Sequence, residues 1–479
     1  MAQEIELKLE LTPEAAETLL ASGALAAGPK RLELRTPYFD TPDGHLAKAG
    51  FSLRIRDAGG VRTQTVKAAG TATAGLFARP EWERTVEDDR PVLDDATPLP
   101  ALLGARLHDI VPIFEIRVER LVWDVPWEEA LVEVVLDRGH VVAGERSAPV
   151  CEIELELKEG TPAALFSLAR HLDGIVPLHV GVVNKAERGQ RLLGPVIRSF
   201  KSGEVALSPE MSAADAFRAI AGSYLRQYRL NEAAIDRAHP EAVHQARVAL
   251  RRLRSAFSIF APMLEDDFFA GLREETRWLA NALGEARDLD VLLSGGTVEP
   301  ELRGRLEQAC DEAYGRALAA VSSARARALM LDLSRWLALG GWLSRPEGGV
   351  LRDEPVRGFA GAALDRFRRR VKKGGRGLEN LTDEARHVLR KDAKKLRYAA
   401  EFFASLFADK RGKRRGRRFI EALSALQDKL GALNDIAMSQ RVLGEGETAV
   451  PDFDSDKADL LEEAAEAHDV FRDARPFWR

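Results

Sequence analysis

The 479-residue sequence has little cysteine and no long apolar run. Its two cysteines, Cys151 and Cys310, are too few for a disulfide framework and lack the CxxC or Cys/His spacing of a metal site. No segment approaches the roughly 18 consecutive apolar residues of a membrane-spanning helix. Glu4 and Glu6 occupy the region where a signal peptide would have a basic segment and an apolar core. These features predict a cytoplasmic protein that does not use a membrane.

The net charge of −5 conceals an uneven distribution of charge. Basic residues are dense in the second half, at 366–373 and 410–418, so a polyanion partner is expected there. The length predicts two or three domains. Linker-like composition appears between about 194 and 211. We therefore expect domains at residues 1–200 and 212–479, joined by a linker at 201–211.

Charged and apolar residues alternate in two segments of the first part. Glu4, Glu6, Lys8 and Glu10 alternate with Ile5, Leu7 and Leu9, and Glu152, Glu154, Glu156 and Lys158 alternate with Ile153, Leu155 and Leu157. This is the pattern of β-strands, in which successive side chains point to opposite faces. One such strand ordinarily exposes its charged face to water. Two strands with carboxylate ladders instead predict an ionic face that lines a site.

Many short strands and few helices are predicted up to about residue 190. Strands are expected near 32–40, 51–56, 61–67, 81–86, 114–125, 131–136 and 150–158, and helices near 12–23 and 162–172. Such a series of antiparallel strands is typical of a barrel or a strongly curved sheet. Its charged face also receives the cations Arg54, Arg56, Lys67 and Arg117.

The two kinds of charge favour the same chemistry. Carboxylates two residues apart on a strand are hard oxygen ligands, which suit Mg²⁺ or Mn²⁺. Arginine and lysine bind phosphate oxygens, arginine in a bidentate manner. A site that holds both kinds of residue suits a metal–polyphosphate substrate, whose terminal phosphorus is attacked by a water that the metal activates.

The order of these motifs resembles the CYTH superfamily of triphosphate tunnel metalloenzymes. The matching features are the ExExK sequence Glu4–Lys8, the strand with Arg54 and Arg56, Lys67, the Glu-x-Glu-x-Glu segment at 152–156 and the segment 184–189. The resemblance covers residues 1 to about 195. It implies an eight-stranded antiparallel tunnel that hydrolyses or cyclises triphosphates with the help of a divalent metal.

The resemblance also implies roles for individual residues. Glu4 and Glu6 would bind the metal that activates water, and Glu154 and Glu156 would bind a second metal, with Glu152 nearby. Lys8, Arg54, Arg56, Lys67, Arg117, Lys185 and Arg188 would bind phosphates, with Arg120 as an equal alternative to Arg117. Lys185 would close over the substrate, so the expected catalytic set is Glu4, Glu6, Lys8 and Lys185.

The second part is predicted to be entirely helical and to contain an internal repeat. Val243, Ala246, Leu250, Leu253 and Phe257 form one apolar stripe at helical spacing. Residues 244–254 align with 387–397, and the companion segment 283–290 aligns with 430–437. Such a duplication predicts a helical bundle with pseudo-twofold symmetry.

Each copy of the repeat places basic residues on one helix face. His244, Arg247, Arg251 and Arg254 share a face, as do His387, Arg390, Lys394 and Arg397, and Lys391 adds a further charge. Like charges at these spacings repel, so a bound polyanion is expected. The pattern resembles the CHAD domain, the conserved histidine α-helical domain, which implies binding of inorganic polyphosphate. Nucleic acid is disfavoured because Tyr398 is the sole aromatic residue in the two motifs.

The expected architecture is therefore an α+β multidomain chain, with an eight-stranded β-barrel tunnel and flanking helices followed by an all-α bundle. A CYTH domain followed by a CHAD domain resembles the bacterial inorganic triphosphatases. This predicts Mg²⁺- or Mn²⁺-dependent hydrolysis of tripolyphosphate to pyrophosphate and phosphate, with association to polyphosphate granules as a compatible location. The alternatives are a thiamine or nucleoside triphosphatase, an adenylate cyclase, or a largely non-catalytic polyphosphate-binding protein.

Overall fold

The computed structural model describes residues 4–25, 28–68, 71–73, 75–294, 300–443 and 453–479. The chain forms two compact units. The first unit comprises residues 1–202, 222–250 and 270–340, and the second comprises residues 203–221, 251–269 and 341–479. Helices of the second part of the chain thus contribute to both units. The domain bounds predicted from sequence stay a prediction.

The described strands of the first unit form one antiparallel sheet. They are β1 (Glu4–Glu10), β2 (Lys30–Asp40), β3 (Phe51–Ala58), β4 (Val61–Ala68), β5 (Thr71–Thr73), β6 (Leu76–Arg79), β7 (Glu81–Val86), β8 (Val111–Trp127), β9 (Ala130–Ala143), β10 (Arg146–Glu159) and β11 (His179–Val180). Their spatial order is β5-β6-β1-β10-β9-β8-β2-β3-β4-β7, and β11 pairs with β1. Eight of these strands have six or more residues, and the strongly curved antiparallel sheet expected from the sequence is confirmed.

Alternation along the strands separates the ionic face from the apolar cores. Leu53 and Ile55 of β3 are fully buried in a core with Val66 of β4, whereas Arg54 and Arg56 point to the opposite, concave face. In β1, Leu7 and Leu9 are buried, and Glu6 and Lys8 lie on the other side. The charges of the sheet therefore meet on its concave face because their apolar neighbours are buried outside it.

Five α-helices lie among the described residues of the first part of the chain. They are α1 (Pro13–Ala21), α2 (His45–Lys48), α3 (Leu99–Leu103), α4 (Ala163–Asp173) and α5 (Lys185–Leu193). The Thr12 hydroxyl accepts a hydrogen bond from the Ala15 amide and caps α1, as the sequence predicts. The Asn184 side chain caps α5 by accepting a hydrogen bond of 2.9 Å from the Glu187 amide. This cap makes Lys185 the first residue of its helix.

The remainder of the described chain is helical. Its helices are α6 (Ala213–Glu232), α7 (Pro240–Leu264), α8 (Phe269–Ala282), α9 (Gly284–Ser294), α10 (Pro300–Ser322), α11 (Ala324–Leu339), α12 (Gly349–Asp353), α13 (Val356–Gly374), α14 (Asp383–Phe402), α15 (Lys410–Leu443) and α16 (Phe453–Asp473). The predicted apolar stripe of α7 is buried. None of the described helices has the combination of length and apolar content needed to cross a bilayer.

The core of the second unit is rich in aromatic rings. Phe260 of α7 stacks on Phe359 of α13 with ring centroids 4.7 Å apart. Phe217 packs edge-on against Trp342, with ring centroids 5.3 Å apart, and Phe403 packs edge-on against Phe260. Such pairs add specific geometry to the burial of large apolar area. The helical fold expected for this part of the chain is confirmed.

Candidate active site

The concave face of the sheet encloses an elongated cavity of about 630 Å³. Its wall is formed by strands and by the start of α5. The described residues that line it are Glu6, Lys8, Tyr38, Ser52, Arg54, Arg56, Lys67, Glu81, Glu83, Arg120, Glu133, Val135, Glu154, Glu156, Leu157, Lys158, Asn184, Lys185 and Ala186. Most of these side chains are charged, and both signs are present.

Carboxylates form a row across three neighbouring strands of this wall. Glu6 of β1 is the register partner of Glu156 of β10, and Glu156 is the register partner of Glu133 of β9. We call Glu6, Glu156 and Glu133 the acidic row. Like charges directly opposite one another on a sheet destabilise it, so the row favours a nearby cation. Lys158 supplies one: its Nζ lies 2.7 Å from Glu156 and 3.3 Å from Glu133.

Lys8 lies in the next register position and is almost completely buried. Its Nζ donates a 2.8 Å hydrogen bond to Glu152 and a short one to Glu154. Burial lowers the pKa of Lys8, but the charges of Glu152 and Glu154 outweigh burial and raise it above its ordinary value. Lys8 is therefore held as an ammonium ion inside the cavity.

Lys185, at the start of α5, reaches the same group of carboxylates. Its Nζ lies 2.6 Å from Asp137 and 3.0 Å from Glu154, and it also contacts Glu152. Burial lowers the pKa of Lys185, but the charges of Asp137 and the two glutamates raise it. Burial raises the pKa of Glu154, yet Lys185, Lys8 and Arg120 hold it well below its ordinary value. The group is thus fully ionised.

Three arginines also line the cavity, and one of them, Arg120, binds Asp137 and Glu154 of this group. Arg54 and Arg56 project from β3, and Arg120 projects from β8; we call them the arginine cluster. The charge of Arg54, followed by burial and the charge of Arg120, lowers the pKa of Arg56 to about 10. The Nε of Arg54 is buried without a hydrogen-bond acceptor among the described residues. Mutual repulsion and an unsatisfied donor are the features that a bound anion would relieve.

Tyr38 lies at the edge of the arginine cluster. Its hydroxyl is 3.4 Å from Arg54 Nη1, and its ring stacks on Phe114 with centroids 4.7 Å apart. Burial raises the pKa of Tyr38, but the charge of Arg54, with Lys185 and Arg56, lowers it overall. Its register partner on β3 is Arg54, which places the two side chains on the same face of the sheet.

Most of the predicted phosphate and metal residues line the cavity, but some do not. The expected position of Arg117 in the cavity needs correction. Arg117 lies on the opposite face of β8, where its side chain is 69% exposed and binds Glu115. Arg120, the alternative, lines the cavity. Arg188 lies behind the lining, 2.9 Å from Glu10 and 3.7 Å from Glu152. The side chain of Glu4 falls outside the described part of the structure.

Two groups of carboxylates in this cavity could hold a divalent cation. Oxygens of Asp137, Glu152 and Glu154 lie within 4.8 Å of one another and could hold a metal. These oxygens already accept hydrogen bonds from the cations Lys8 and Lys185, which a metal would have to displace. The acidic row has carboxylate oxygens as ligands on three adjacent strands and faces the cavity, which suits a hard divalent ion. At both places lysine side chains already bind some of the carboxylate oxygens: Lys8 and Lys185 in the first group, and Lys158 in the acidic row.

Residues missed by the sequence interpretation also line the cavity. Glu81 of β7 is the register partner of Lys67 of β4, and its Oε2 lies 3.1 Å from Lys67 Nζ. Glu83 is two residues further along the same strand and accepts a hydrogen bond of 3.0 Å from Thr65. The alternation of β7 gives a signal for both glutamates. Ser52 likewise lies two residues before Arg54 on β3.

The basic faces of the second part of the chain make internal contacts. Arg247 Nη1 donates hydrogen bonds of 2.8 Å to the Gly284 carbonyl and to Asp288, both in the companion segment of the first repeat. In the second repeat, the His387 Nδ1 lies 2.9 Å from Asn434 Oδ1. A Cβ on Gly284 would lie 3.8 Å from Arg247 Nη2, and one on Gly431 would lie 3.8 Å from Arg390 Nη2. The two copies therefore have the same local arrangement of helix and companion segment.

The other predicted polyphosphate residues lie at different depths. Arg251 and Arg397 approach the ring of buried Tyr398, at 5.9 and 5.4 Å from its centroid. His387, Lys391 and Arg251 are exposed, whereas His244, Arg254, Arg390, Lys394 and Arg397 are half-buried. Some of the cations thus have structural partners, and the exposed ones remain candidates for binding an anion.

Comparison with known proteins identifies the two parts. An inorganic triphosphatase of Haemophilus influenzae is 34% identical over 202 residues, which are 40% of this chain and 55% of that protein. This chain thus spans about half the length of that relative. An uncharacterised protein of Mycobacterium tuberculosis is 27% identical over 406 residues, which are 77% of this chain and 75% of that protein.

The family comparison separates the strand-rich first part of the chain from the helical second part. The crystal structure of the CHAD domain from the plant Ricinus communis is 28% identical, with a TM-score of 0.46, over 58% of this chain and 93% of that structure. Residues 2–189 match the CYTH domain model and residues 219–444 match the CHAD domain model. The chain therefore carries a CYTH domain followed by a CHAD domain.

Proposed function

We propose that the chain is a metal-dependent inorganic triphosphatase that hydrolyses tripolyphosphate to pyrophosphate and phosphate. The observation that supports this most directly is the meeting of the acidic row and the arginine cluster in one cavity. The acidic row suits a divalent cation, Mg²⁺ or Mn²⁺, and the arginine cluster suits phosphate oxygens. The similarity to the inorganic triphosphatase of Haemophilus influenzae supports the same substrate class.

Within this proposal the cavity residues have separate tasks. Arg54, Arg56 and Arg120 bind phosphate oxygens and neutralise their charge. Lys8 and Lys185 hold positive charge between the arginine cluster and the carboxylates. Glu6 and Glu156, with Glu133, would hold the metal, and Glu4 stays a predicted ligand. The bound metal would supply charge neutralisation at the reacting phosphoryl group and an activated water.

Tripolyphosphate is favoured over nucleotides and thiamine triphosphate by the character of the cavity wall. Tyr38 is the one aromatic residue among the described residues that line it, and its ring is stacked on Phe114. A nucleobase or thiazolium ring would need an apolar or aromatic surface on which to stack. The described residues of the wall are mostly charged and offer such a ring few favourable contacts. A bare phosphate chain, in contrast, can bind the cations along the wall.

Phosphate release from tripolyphosphate, ATP, thiamine triphosphate and long-chain polyphosphate, each with and without Mg²⁺ or Mn²⁺, tests this proposal. We expect metal-dependent release that is fastest with tripolyphosphate. The Glu6→Gln variant should lose at least about a hundredfold in kcat, in the range typical of a group that acts at the reacting centre. Glu33→Gln, at an exposed position of β2, is the matched control and should retain wild-type activity. Absence of metal-dependent release from all four substrates would refute the enzymatic function, and formation of cyclic AMP from ATP would refute hydrolysis.

We also propose that the basic faces of α7 and α14 bind inorganic polyphosphate. The exposed cations Arg251 and Lys391 support this, because neither is used in an ion pair that the structure describes. Binding of long-chain polyphosphate should weaken in an Arg251→Gln/Lys391→Gln variant and should fall steeply with added salt. Arg305→Gln/Arg335→Gln, which removes two exposed arginines of α10 and α11, is the control. Equal loss of binding in both double variants would refute these faces as the binding site.

A further inference from the structure

The last turns of α6 contact the wall of the cavity within the first unit. Arg226 of α6 forms a short ion pair with Glu187 of α5. Arg229, one turn later, donates a 2.9 Å hydrogen bond from Nε to the Val180 carbonyl of β11. Helix α6 thus holds two elements that flank the cavity, although it follows the first domain in sequence.

Arg229 is also connected to the buried carboxylates, through contacts that involve Glu10 and Arg188. Its Nη2 lies 3.9 Å from Glu10 of β1, and the other oxygen of Glu10 accepts a 2.9 Å hydrogen bond from Arg188 of α5. Arg188 in turn lies 3.7 Å from Glu152, the carboxylate that binds Lys8 and Lys185. A continuous series of charged contacts therefore joins α6 to the ionic group inside the cavity.

The burial of Arg229 makes these contacts structurally important. Its side chain is only 5% exposed and also pairs with Glu232. A guanidinium group at such depth requires partners, because desolvation of a charge is costly. Arg229 is therefore fixed, and it fixes the end of β1 and the paired strand β11.

Helix α5 carries Lys185 at its first residue, so the placement of α5 determines where this ammonium group lies. Contacts within α5 do not anchor the helix to the sheet; the pair between Arg191 and Glu187, for example, is internal to it. Several contacts to other elements do so. Lys185 pairs with Asp137 of β9, Arg188 pairs with Glu10 of β1, and Gly189 packs on the ring of Phe114. Glu187 pairs with Arg226 of α6. Arg226 of α6 thus supplies one polar contact of this anchoring, and Arg229 supports another through Glu10, the partner of Arg188.

We propose that Arg226 and Arg229 are positioning residues that hold α5 in place, so that Lys185 faces the phosphate chain in the cavity. The inference rests on the proposed triphosphatase function for its consequence, but its structural part concerns only α5 and α6. It makes the end of α6 a component of the triphosphate site. Loss of either arginine should weaken substrate binding more than it slows the chemical step.

The test uses the full-length chain and two measurements. Amide hydrogen exchange across residues 185–193 reports the anchoring of α5, and phosphate release from tripolyphosphate gives KM and kcat. In Arg226→Gln, we expect faster exchange in α5 and a KM raised about two- to fivefold, the range for a partly exposed ion pair, with kcat changed less than KM. Arg226→Lys should restore most of the loss because it retains the charge. Arg229→Gln should show a larger effect of the same kind.

Arg218→Gln is the matched control, since Arg218 lies on the same helix and its described ion pair is with Asp215 of that helix. It should leave the exchange of α5 and KM unchanged. Unchanged exchange of α5 in Arg226→Gln would overturn the inference, as would faster exchange with an unaltered KM. If the wild-type chain released no phosphate from tripolyphosphate, the proposed function would fail, while the exchange measurement would still decide whether α6 anchors α5.

Discussion

Arg120 and Arg117 lie on opposite faces of β8, so substitutions at the two positions separate effects in the cavity from effects on the surface. Arg120 donates hydrogen bonds of 2.8 and 2.6 Å to the two oxygens of Asp137 and one of 3.2 Å to Glu154. Arg117, three residues earlier, is largely exposed and binds Glu115. Substitution of each by methionine removes a guanidinium group and keeps much of the apolar stem, so the two variants differ mainly in the site that they alter.

The expected magnitudes follow from burial. In Arg120→Met, the fully buried carboxylate of Asp137 loses its bidentate partner and retains Lys185. Removal of one partner from a buried ion pair typically costs about 3–5 kcal/mol, and the contact that Lys185 retains places the expected loss at the lower end, about 3 kcal/mol. In Arg117→Met, loss of an exposed ion pair should change the free energy of unfolding by less than about 1 kcal/mol.

Urea unfolding and steady-state kinetics measure the two consequences together. Arg120→Met should lower the urea midpoint and raise the KM for tripolyphosphate by at least tenfold, because one member of the arginine cluster is lost. Arg117→Met should resemble the wild type in both measurements. An Arg117→Met variant with impaired substrate binding, or an Arg120→Met variant with unchanged KM, would refute the placement of the phosphate site on the concave face of β8.

Two further predictions concern the arginine cluster and α5. Arg56 has a pKa lowered to about 10 by Arg54, burial and Arg120, which corresponds to a folding cost on the order of 3 kcal/mol for its charged form. Arg56→Met should therefore raise the melting temperature of the ligand-free chain while it weakens tripolyphosphate binding. A melting temperature of Arg56→Met below that of the wild-type chain would contradict this reasoning. Gly189→Ala should displace α5 and raise KM, because its Cβ would lie 2.2 Å from the ring of Phe114; calorimetry and kinetics that match the wild type would exclude this close approach.

Alternation along the strands was sufficient to predict the ionic face of the sheet. The segments with Glu6, Lys8, Arg54 and Arg56 have period two, and each charged residue has an apolar neighbour that is buried on the other side. Period two fixes the face of every residue in a strand once one residue is placed. The concave face and the charges that line it could therefore be predicted without knowledge of which strands are adjacent.

The face of β8 was harder to predict because this strand carries charges on both sides. Glu115, Arg117 and Glu119 alternate on one face, while Arg120 follows the apolar residues Ile116 and Val118 on the other. Local periodicity does not show which of these faces is concave. Contacts with β2 and β9 decide it, and such contacts join residues far apart in sequence.

Ion pairing inside the cavity could not be predicted for the same reason. The resemblance to the CYTH superfamily implied that Lys8 and Lys185 would bind phosphates, but it did not indicate that both bind Glu152 and Glu154 in the folded chain. These pairs join β1, β10 and the start of α5, and their distances depend on tertiary packing. The contacts of α6 with Glu187 and Val180 belong to the same class, since they join residues about 40 to 50 positions apart.

The two clusters of like charge in the cavity are best understood together. Repulsion between Arg54 and Arg56 lowers the pKa of Arg56, and the acidic row brings together three carboxylates, two of which pair with Lys158. Lys8 and Lys185 compensate the carboxylates of Glu152 and Glu154, but no comparable set of anions surrounds Arg54 and Arg56 in the described residues. A phosphate chain would supply the missing negative charge beside the arginines, and a divalent cation would supply positive charge at the acidic row. The cavity is therefore electrostatically complementary to a metal–triphosphate complex rather than to either component alone, which is why hydrolysis should require the metal.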